Sequence, residues 1–349
     1  MVPQKLLIVG SGITSAVCCS LISRDPSLSK VFDLVVWEKA RGAGGRMSTT
    51  RSPKDQDNVA DLGAQFITVS PVYAQKHSSI YEELLQSGKL EKLKGHLEGM
   101  KNLPEGTKHY VARNGTGSLV KKFLQDAENV AIDYNTHLSK LTIVDGRWRA
   151  TTLDGREEIF ENVLLTMPVP QALQLQGDVQ QTLKEAGVHG NLDQVKYSSR
   201  YALGMFFSEG VSVPDFPWVA KFIYGHPVWR YASFDNRKRN QDGGPTAVVL
   251  HTDVAFGEKN VERSPEDLKE DLLSSARDLL PNLPETQDVK CQKWRYSQVV
   301  KSYPDSPGFV VGSTEPMLLL AGDGFTHSHF DGCVDSATKV VEFLKSKFC

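Results

Sequence analysis

The turn Gly10-Ser11-Gly12 constrains the fold more strongly than any other feature of the sequence. It lies between an apolar segment at residues 5–9 and a segment of small residues that ends near Ser23. Two glycines at this spacing allow a tight turn and let a pyrophosphate approach the free N–H groups at the start of a helix. Residues 34–37 indicate a second buried strand, so the pattern predicts a strand–turn–helix–strand unit with parallel strands.

Glu38 follows the second strand and is the expected acceptor for the ribose hydroxyls of a dinucleotide. It lies 26 residues after Gly12, whereas the usual spacing is about 20, and we interpret residues 25–33 as a loop insertion. Ser15 stands where the motif has its third glycine, a position at which a small side chain still permits helix packing. On this motif alone, a glycine turn in an ordinary α/β unit is the alternative interpretation.

A second glycine-rich segment, Gly44-Gly45-Arg46, follows Glu38 closely. Its glycines would let the chain pass near a pyrophosphate, and the forked guanidinium of Arg46 would contact the phosphate oxygens. A nicotinamide dinucleotide does not need such a segment, whereas a longer dinucleotide that lies extended across the sheet does. The sequence therefore predicts FAD as the cofactor, with these residues in its site: Gly10, Gly12, Glu38, Gly45 and Arg46.

A third segment, Gly322-Asp323-Gly324, ends an apolar strand near the C-terminus. Asp323 would present a carboxylate to the ribityl and pyrophosphate region of the cofactor. The following helix, which starts near Gly332 and contains Val334 of the predicted cofactor set, would stabilise negative charge on reduced flavin with its positive end. An ordinary strand–turn–helix with Asp331 as N-cap is the alternative interpretation.

Consecutive strands predict a second domain, at residues 201–207, 218–224, 228–234 and 246–252. Such a block is typical of an antiparallel or mixed sheet. The predicted fold class is α/β, a FAD-binding Rossmann-like domain with a second, mixed-sheet substrate domain. The FAD-binding domain is expected at residues 1–75, 107–178 and 289–349, and the substrate domain at residues 76–106 and 179–288.

Composition argues against several classes of partner. The 349 residues carry a net charge of −2, so no general attraction to nucleic acid or an anionic membrane is expected. No segment approaches the roughly 18 apolar residues of a membrane span. The five cysteines lack metal-ligand spacing, so no metal site is predicted, and they favour a reducing compartment. The expected location is cytoplasmic, with secretion that retains the N-terminal strand as the alternative.

The densest basic run is Arg237-Lys238-Arg239, which precedes polar and glycine residues at 240–244. We interpret this run as a solvated loop. Contact with a cofactor phosphate is the alternative.

Six segments taken together resemble the flavin amine oxidase superfamily. They are Gly10-x-Gly12, Glu38, residues 44–47, residues 61–66, residues 166–170 and Gly322-Asp323-Gly324. The resemblance covers essentially the whole chain and implies a two-domain fold like that of p-hydroxybenzoate hydroxylase. It also implies FAD contacts at Thr14, Arg46, Gln65 and Phe66, whereas Ser15 departs from the third glycine of the family.

Residues 198–204, 291–298 and 322–326 resemble one branch of this superfamily in particular. That resemblance implies oxidation of isomeric dihydronicotinamides, with hydride at ring position 2 or 6, to NAD(P)⁺, while molecular oxygen becomes hydrogen peroxide. Hydride would pass directly to flavin N5, so no side chain is expected to act as an acid, a base or a nucleophile. The candidates to line the substrate are His251, Trp294 and Tyr201, and His251 and Trp294 could equally be core residues.

Two alternative functions remain open at this stage. A monoamine oxidase would tether FAD through a cysteine near the C-terminal strand, but residues 315–318 contain none, so non-covalent FAD is predicted. The other alternative is a binding protein or a secreted signalling polypeptide on the same fold. The sequence leaves open the preference between NAD and NADP forms, the physiological electron acceptor and the oligomeric state.

Overall fold

The computed structural model describes residues 3–241 and 244–349, and it divides into two compact units. The first unit comprises Met1–Gly45, Val120–Tyr197 and Gln298–Cys349, and the second comprises Arg46–Leu119 and Ser198–Ser297. Helix α4, Gly117–Gln125, contains the boundary at residues 119–120. Each unit has its own six-stranded sheet and its own apolar core.

The sheet of the first unit is parallel except at one edge. In spatial order its strands are Phe309–Thr314 (β22), Met317–Ala321 (β23), Asn162–Leu165 (β13), Gln4–Val9 (β1), Phe32–Trp37 (β2) and Val130–Asp133 (β9). Only β22 runs antiparallel to its neighbour. The central strands β13 and β23 are buried along their whole length, as expected for parallel strands covered on both faces.

Two helices of the first unit, α1 (Ile13–Arg24) and α11 (Phe330–Phe348), pack against each other. Ser15 is completely buried in α1, so the serine at the third glycine position is compatible with helix packing. Cys18 and Cys19 are buried free thiols in this helix, where a thiol packs as a small apolar side chain.

The other elements of the first unit form two small sheets and three short helices. The strands are Leu138–Val144 (β10), Arg147–Thr152 (β11), Glu157–Phe160 (β12), Gln176–Gly177 (β14), Lys196–Tyr197 (β15) and Val299–Lys301 (β21). The helices are Val169–Ala172 (α5), Val179–Glu185 (α6) and His189–Leu192 (α7). β10 and β11 pair across a turn at Asp145-Gly146, where both residues have positive φ.

The sheet of the second unit confirms the predicted block of consecutive strands. Its order is Asp288–Trp294 (β20), Arg200–Phe206 (β16), Ala247–Thr252 (β19), Trp229–Phe234 (β18), Ala220–Phe222 (β17) and Leu97–Glu98 (β7). From β20 to β17 each strand is antiparallel to the next, and the edge strand β7 is parallel to β17.

The second unit also contains two smaller sheets and five helices. The strands are Thr49–Arg51 (β3), Val59–Asp61 (β4), Ile67–Val69 (β5), Leu90–Lys92 (β6) and Lys108–Ala112 (β8), and the helices are Pro71–Lys76 (α2), Ser78–Gln86 (α3), Asp235–Lys238 (α8), Val254–Lys259 (α9) and Pro265–Leu279 (α10). Ser70 caps α2 and Ser264 caps α10.

The two faces of the second sheet pack against different partners. On one face, the β16 residues Tyr201, Leu203 and Met205 join a core with Leu268 and Leu272 of α10. On the opposite face, another set of apolar side chains forms a smaller cluster: Ala60, Leu62, Ala202, Phe206, Ala247, Val249 and Trp294. This second face carries the polar and aromatic residues of the candidate site in this unit.

Candidate functional site

The β1–α1 turn has the backbone geometry that a dinucleotide site requires. Gly10 has φ +98°, and its N–H donates to the carbonyl oxygen of Trp37 at 2.8 Å. A Cβ on Gly10 would also lie 3.0 Å from the hydroxyl oxygen of Thr166. Since L side chains rarely adopt this φ, the chain itself requires glycine at position 10.

Gly12 differs from Gly10, because its own backbone does not require glycine. It is the N-cap of α1 with φ −80°, and within this helix the first turn has no acidic side chain. Among the described residues, no atom outside the local backbone lies within 4 Å of the position that a Gly12 Cβ would occupy. A group that approaches the N–H donors of α1 would fill that position, so the residues present fit a bound pyrophosphate.

The carboxylate of Glu38 is buried beside this turn. Its Oε2 accepts hydrogen bonds from the N–H and the hydroxyl of Ser11, at 2.8 and 2.7 Å, and its Oε1 accepts one from the Ala40 N–H at 2.8 Å. These three bonds orient the carboxylate. A carboxylate has about four lone-pair sites, so acceptor capacity remains for ribose hydroxyls.

The second glycine-rich segment lies against the first. The N–H of Gly44 donates to the carbonyl oxygen of Ser11 at 2.9 Å. Gly45 has φ +53°, and a Cβ there would lie 3.7 Å from the Cα of Gly12. The structure therefore brings Gly10, Gly12, Glu38 and Gly45 together in the first unit.

The Gly322-Asp323 turn follows β23. Gly322 has φ +129°, and its N–H donates to the Ser336 hydroxyl at 2.8 Å. Asp323 is buried and accepts a hydrogen bond from the Ser328 hydroxyl at 2.6 Å. The turn thus holds a carboxylate at the carboxyl end of a parallel strand, the place where ligands bind in open α/β sheets.

Helix α11 begins slightly before its predicted start. Its N-cap is His329, and Asp331 lies buried in the first turn, so the interpretation of Asp331 as N-cap is wrong. A Cβ on Gly332 would lie 2.1 Å from Nδ1 of His327, which requires glycine there. Val334 and Thr14 are buried in their helices, and their contact with the cofactor stays a prediction.

In the second unit, the segment after β4 anchors two of the predicted site residues. The backbone carbonyl oxygen of Arg46 accepts a hydrogen bond from the Ala64 N–H at 2.9 Å. The Arg46 guanidinium donates from Nη1 to the Ser297 carbonyl oxygen at 3.2 Å. The indole N–H of Trp294 donates to the Leu62 carbonyl oxygen at 2.8 Å. Arg46 is half-buried, which distinguishes it from an ordinary surface arginine.

The carboxamide of Gln65 links this segment to His251. Its Oε1 accepts hydrogen bonds from Nζ of Lys238 at 2.8 Å and from the Ser233 hydroxyl at 3.2 Å. Its Nε2 lies 3.1 Å from the carbonyl oxygen of Gly63 and 3.3 Å from Nε2 of His251. The structure therefore brings together two residues that the sequence placed in different sets, Gln65 for the cofactor and His251 for the substrate.

A row of rings continues from His251 along the same face of the sheet. Ring centroids are 5.5 Å apart for His251 and Tyr231, 5.4 Å for Tyr231 and Phe222, and 6.4 Å for Phe222 and Phe66. Tyr231 and Phe222 are not among the site residues predicted from the sequence. A bulge between Trp229 and Tyr231 breaks the alternation of β18, so the face of Tyr231 could not be read from the pattern.

Tyr201 does not belong to this face. Its side chain is completely buried on the α10 side of the sheet, and its hydroxyl lies 2.8 Å from the Asn260 carbonyl oxygen and 2.7 Å from that of Arg263. Core packing and these hydrogen bonds account for Tyr201. We therefore remove it from the residues proposed to line the substrate.

The basic run at 237–239 is not a solvated loop. It overlaps α8, where Nζ of Lys238 lies 2.6 Å from Oδ1 of Asp235 and Nη2 of Arg239 lies 3.1 Å from Oδ2 of Asp235, all three side chains being buried. The i,i+3 and i,i+4 spacing of these charges is the signal that could have indicated a paired cluster. Asp242 and Gly243 of the expected loop lie outside the described residues.

Burial changes the protonation of two groups in this part of the second unit. Burial, followed by the charges of Arg200 and Lys238, lowers the pKa of His251 to about 3, so the ring is neutral near pH 7. Burial and the neighbouring Asp235 raise the pKa of Asp61 to about 6, although Lys238 opposes the change.

Neither a metal centre nor a membrane span is found in the described part of the chain. Within residues 3–241 and 244–349, no group of three or more His, Cys, Asp or Glu side chains could hold a metal ion. In the same residues, no helix is long and apolar enough to cross a membrane.

Comparison with known proteins identifies the family. A family model described as flavin containing amine oxidoreductase matches residues 88–342, and one described as NAD(P)-binding Rossmann-like domain matches residues 8–84. Renalase from Mus musculus is 39% identical over 345 residues, which cover 98% of this chain and 99% of that protein.

Two solved structures share the fold. One, from Exiguobacterium sp. 255-15 and provisionally assigned as a protoporphyrinogen oxidase, superposes with a TM-score of 0.73 at 16% identity and covers 99% of each chain. The other, from Pyrococcus furiosus, has a TM-score of 0.61 at 13% identity and covers 98% of each chain. The predicted α/β class with a Rossmann-like domain is confirmed. The chain therefore belongs to the renalase family of flavin-containing amine oxidoreductases, and its cofactor is FAD.

Proposed function

We propose that this flavin-dependent oxidoreductase oxidises dihydronicotinamides that carry the reactive hydrogen at ring position 2 or 6. The products are NAD(P)⁺ and, with molecular oxygen as the acceptor, hydrogen peroxide. One hydride, one proton and one oxygen molecule give one peroxide, so the reaction balances. The similarity to renalase and the segments at residues 198–204 and 291–298 support this assignment.

The observation that carries the proposal is the row of rings on the second sheet. Phe222, Tyr231 and His251 follow one another at centroid distances of 5.4 and 5.5 Å. Loss of hydride converts a neutral dihydropyridine into a pyridinium cation, and aromatic faces attract cations. Aromatic rings beside the substrate therefore favour the positive charge that develops on its ring.

The protonation state of His251 agrees with this chemistry. The substrate carbon loses a hydride and no proton, so the side chains need to orient the ring and not to exchange protons with it. His251, with its pKa lowered to about 3, adds no positive charge that would oppose the pyridinium. We propose that His251 and Trp294 contact the substrate, and that the Leu62 carbonyl oxygen holds the indole in place.

The residues proposed to hold FAD in the first unit have distinct roles. Gly10, Gly12 and Gly45 would permit close approach of the pyrophosphate, Glu38 would accept ribose hydroxyls, and Asp323 would contact the ribityl region. When bound there, FAD would supply the hydride acceptor, its N5 atom, and the means of transferring the electrons to oxygen. Further contacts are proposed at Thr14, Arg46, Gln65, Phe66 and Val334.

We propose that FAD is held without a covalent bond. Residues 315–318, which precede the Gly322-Asp323 turn, contain no cysteine. Cys333 lies beyond that turn, in the first turns of α11. The functional boundaries predicted from the sequence, a FAD-binding domain at 1–75, 107–178 and 289–349 with a substrate domain between, remain part of this proposal.

Product stoichiometry in air tests the proposed reaction. Purified protein mixed with a separated 2- or 6-dihydro isomer should form one NAD(P)⁺ and one peroxide for each substrate consumed. A catecholamine serves as the competing substrate. Peroxide and an aldehyde from the catecholamine, without oxidation of either nicotinamide isomer, would assign amine oxidation instead.

A further inference from the structure

The buried ammonium of Lys238 determines how the Gln65 carboxamide is oriented. The Lys238 side chain has no solvent exposure, and its Nζ contacts Oδ1 of Asp235 at 2.6 Å and the side chain of Gln65 at 2.8 Å. An ammonium can only donate hydrogen bonds. The Gln65 atom that faces Lys238 must therefore be the oxygen, and the Ser233 hydroxyl donates to the same oxygen.

This orientation places the amide nitrogen of Gln65 against His251. Nε2 of Gln65 lies 3.3 Å from Nε2 of His251 and 3.1 Å from the carbonyl oxygen of Gly63, and it also contacts the carbonyl oxygen of Asp61. An amide NH₂ group donates and does not accept. The carbonyl oxygens of Gly63 and Asp61 can accept both amide hydrogens, and the Leu62 backbone also hydrogen-bonds to the ring. A proton on Nε2 of His251 would point at the amide donor, so this contact favours the neutral ring with its proton on Nδ1.

The charged groups around His251 come from two elements packed beside it. Arg200 of β16 precedes Ala202, the residue paired with His251 in the sheet, and both it and Lys238 of α8 disfavour a charged imidazole. Asp235 of α8 acts in the opposite direction. Tyr231 of β18 contributes a neutral ring at 5.5 Å. Lys238 is thus the cation that acts on His251 both through space and through the Gln65 carboxamide.

We propose that Lys238 is a positioning residue for the oxidation reaction, which fixes the Gln65 carboxamide and thereby holds His251 as a neutral ring protonated on Nδ1. The inference rests on the proposed function, because a neutral His251 matters most where a pyridinium forms beside it. A protonated imidazole at this place would repel the positive charge that develops as hydride leaves. Lys238 itself is completely buried and contacts the Gln65 carboxamide, so it need not touch the substrate.

Nitrogen-15 spectra of the imidazole rings test the tautomer without any substrate. In the wild-type holoprotein, His251 should be a neutral Nδ1–H ring from pH 8 down to pH 5.5, with its signal assigned by comparison with His251→Asn. A protonated ring at pH 6, or a neutral ring with its proton on Nε2, would overturn the inference. This test needs only the wild-type protein.

Two variants test the role of Lys238. Lys238→Met removes the ammonium that holds the Gln65 oxygen and one of the two cations that lower the pKa of His251, so this pKa should rise, while burial and Arg200 still keep it below its ordinary value. Flavin reduction by the 2- or 6-dihydro isomer should then fall more steeply between pH 7.5 and pH 5.5 than in the wild type, since a larger fraction of the His251 rings would be protonated at the lower pH. Gln65→Glu keeps the contact with Lys238 but offers an oxygen to His251, and it should raise the pKa in the same direction if Lys238→Met does not fold.

Lys122→Met is the matched control. Lys122 is also a buried lysine paired with an aspartate, Asp126, but it lies in α4. This variant should leave both the His251 spectrum and the pH profile unchanged. If the folded Lys238→Met and Gln65→Glu proteins keep the wild-type spectrum and profile, Lys238 is structural only. If no dihydronicotinamide reduces the wild-type flavin but the spectra change as expected, the proposed reaction fails and the positioning role of Lys238 stands.

Discussion

The carbonyl oxygen of Arg46 lies so close to Gly63 that a Cβ on Gly63 would be 2.0 Å from it. The Ala64 N–H donates to the same oxygen at 2.9 Å, so neither partner can move away without loss of this bond. Gly63 is therefore required by the packing of the chain, whereas Gly12 has open space at the position of its Cβ.

The two glycines should respond in opposite ways to alanine. Gly63→Ala should lower the free energy of unfolding of the apoprotein by about 1–3 kcal/mol or more, because the backbone must shift to relieve the contact. Gly12→Ala should change it by no more than about 0.5 kcal/mol, yet weaken FAD binding because the methyl group fills the approach to α1. Urea unfolding and FAD titration measure both quantities. A Gly12→Ala protein with the wild-type dissociation constant for FAD would remove Gly12 from the cofactor site.

Arg46→Ala should weaken FAD binding without unfolding the chain. A charged hydrogen bond to a phosphate contributes about 1.5–3 kcal/mol, which corresponds to a roughly ten- to hundredfold increase in dissociation constant. The control is Arg41→Ala, since Arg41 is an exposed arginine a few residues earlier. Equal dissociation constants for the two variants would show that Arg46 makes no contact with the cofactor.

The raised pKa of Asp61 predicts a pH-dependent cost to stability. Its pKa is about 6 in the folded protein, against about 3.9 in an unfolded chain. Between these values the folded protein binds a proton that the unfolded chain does not, so the cost of the buried carboxylate is present above pH 6 and disappears as the pH falls.

Asp61→Asn removes this titration. Relative to the variant, the wild type should gain about 2 kcal/mol of unfolding free energy as the pH falls from 7 to 4. Urea unfolding at several pH values measures the difference, and Asp57→Asn, at an exposed carboxylate, should show no such trend. A constant difference between wild type and Asp61→Asn would mean that Asp61 titrates normally.

The parts of the fold that could be predicted from the sequence are those formed by residues close to one another along the chain. Gly10 and Gly12 lie in the turn of one strand–turn–helix–strand unit, and Glu38 follows its second strand. The spacing of these three residues in the sequence was therefore enough to predict that they share one site. The partner of Lys238 is Gln65, 173 residues away, and α8 has only four residues, too few for a periodic pattern. Their pairing therefore could not be read from the sequence.

Tyr201 shows a second limit of the sequence pattern. β16 is buried on both faces after its first residue, so its alternation does not tell which side chains face the core under α10. The sequence could identify the strand but not the direction in which Tyr201 points. By the same reasoning His251, in a strand buried along nearly all of its length, needed the structure to be placed beside Gln65.

The proposed lack of a covalent bond to FAD predicts how the cofactor is released. Acid precipitation of the purified protein should leave all of the flavin absorbance in the supernatant, and dialysis against FAD should restore the absorbance of the refolded chain. Flavin that stays with the precipitate would indicate a covalent bond, in which case Cys333 is the first residue to examine by peptide mapping.

Anaerobic flavin reduction by separated dihydronicotinamide isomers tests the central claim most directly. A misalignment of about 1 Å can slow a reaction on the order of a hundredfold, so a site that aligns ring position 2 or 6 should discriminate strongly against position 4. Rapid mixing should bleach the flavin fast with the 2- or 6-dihydro forms and slowly with the 4-dihydro form, and air should then restore the yellow colour with one peroxide for each substrate oxidised. A catecholamine that bleaches the flavin as fast as any nicotinamide isomer would contradict this account and assign the site to amine oxidation.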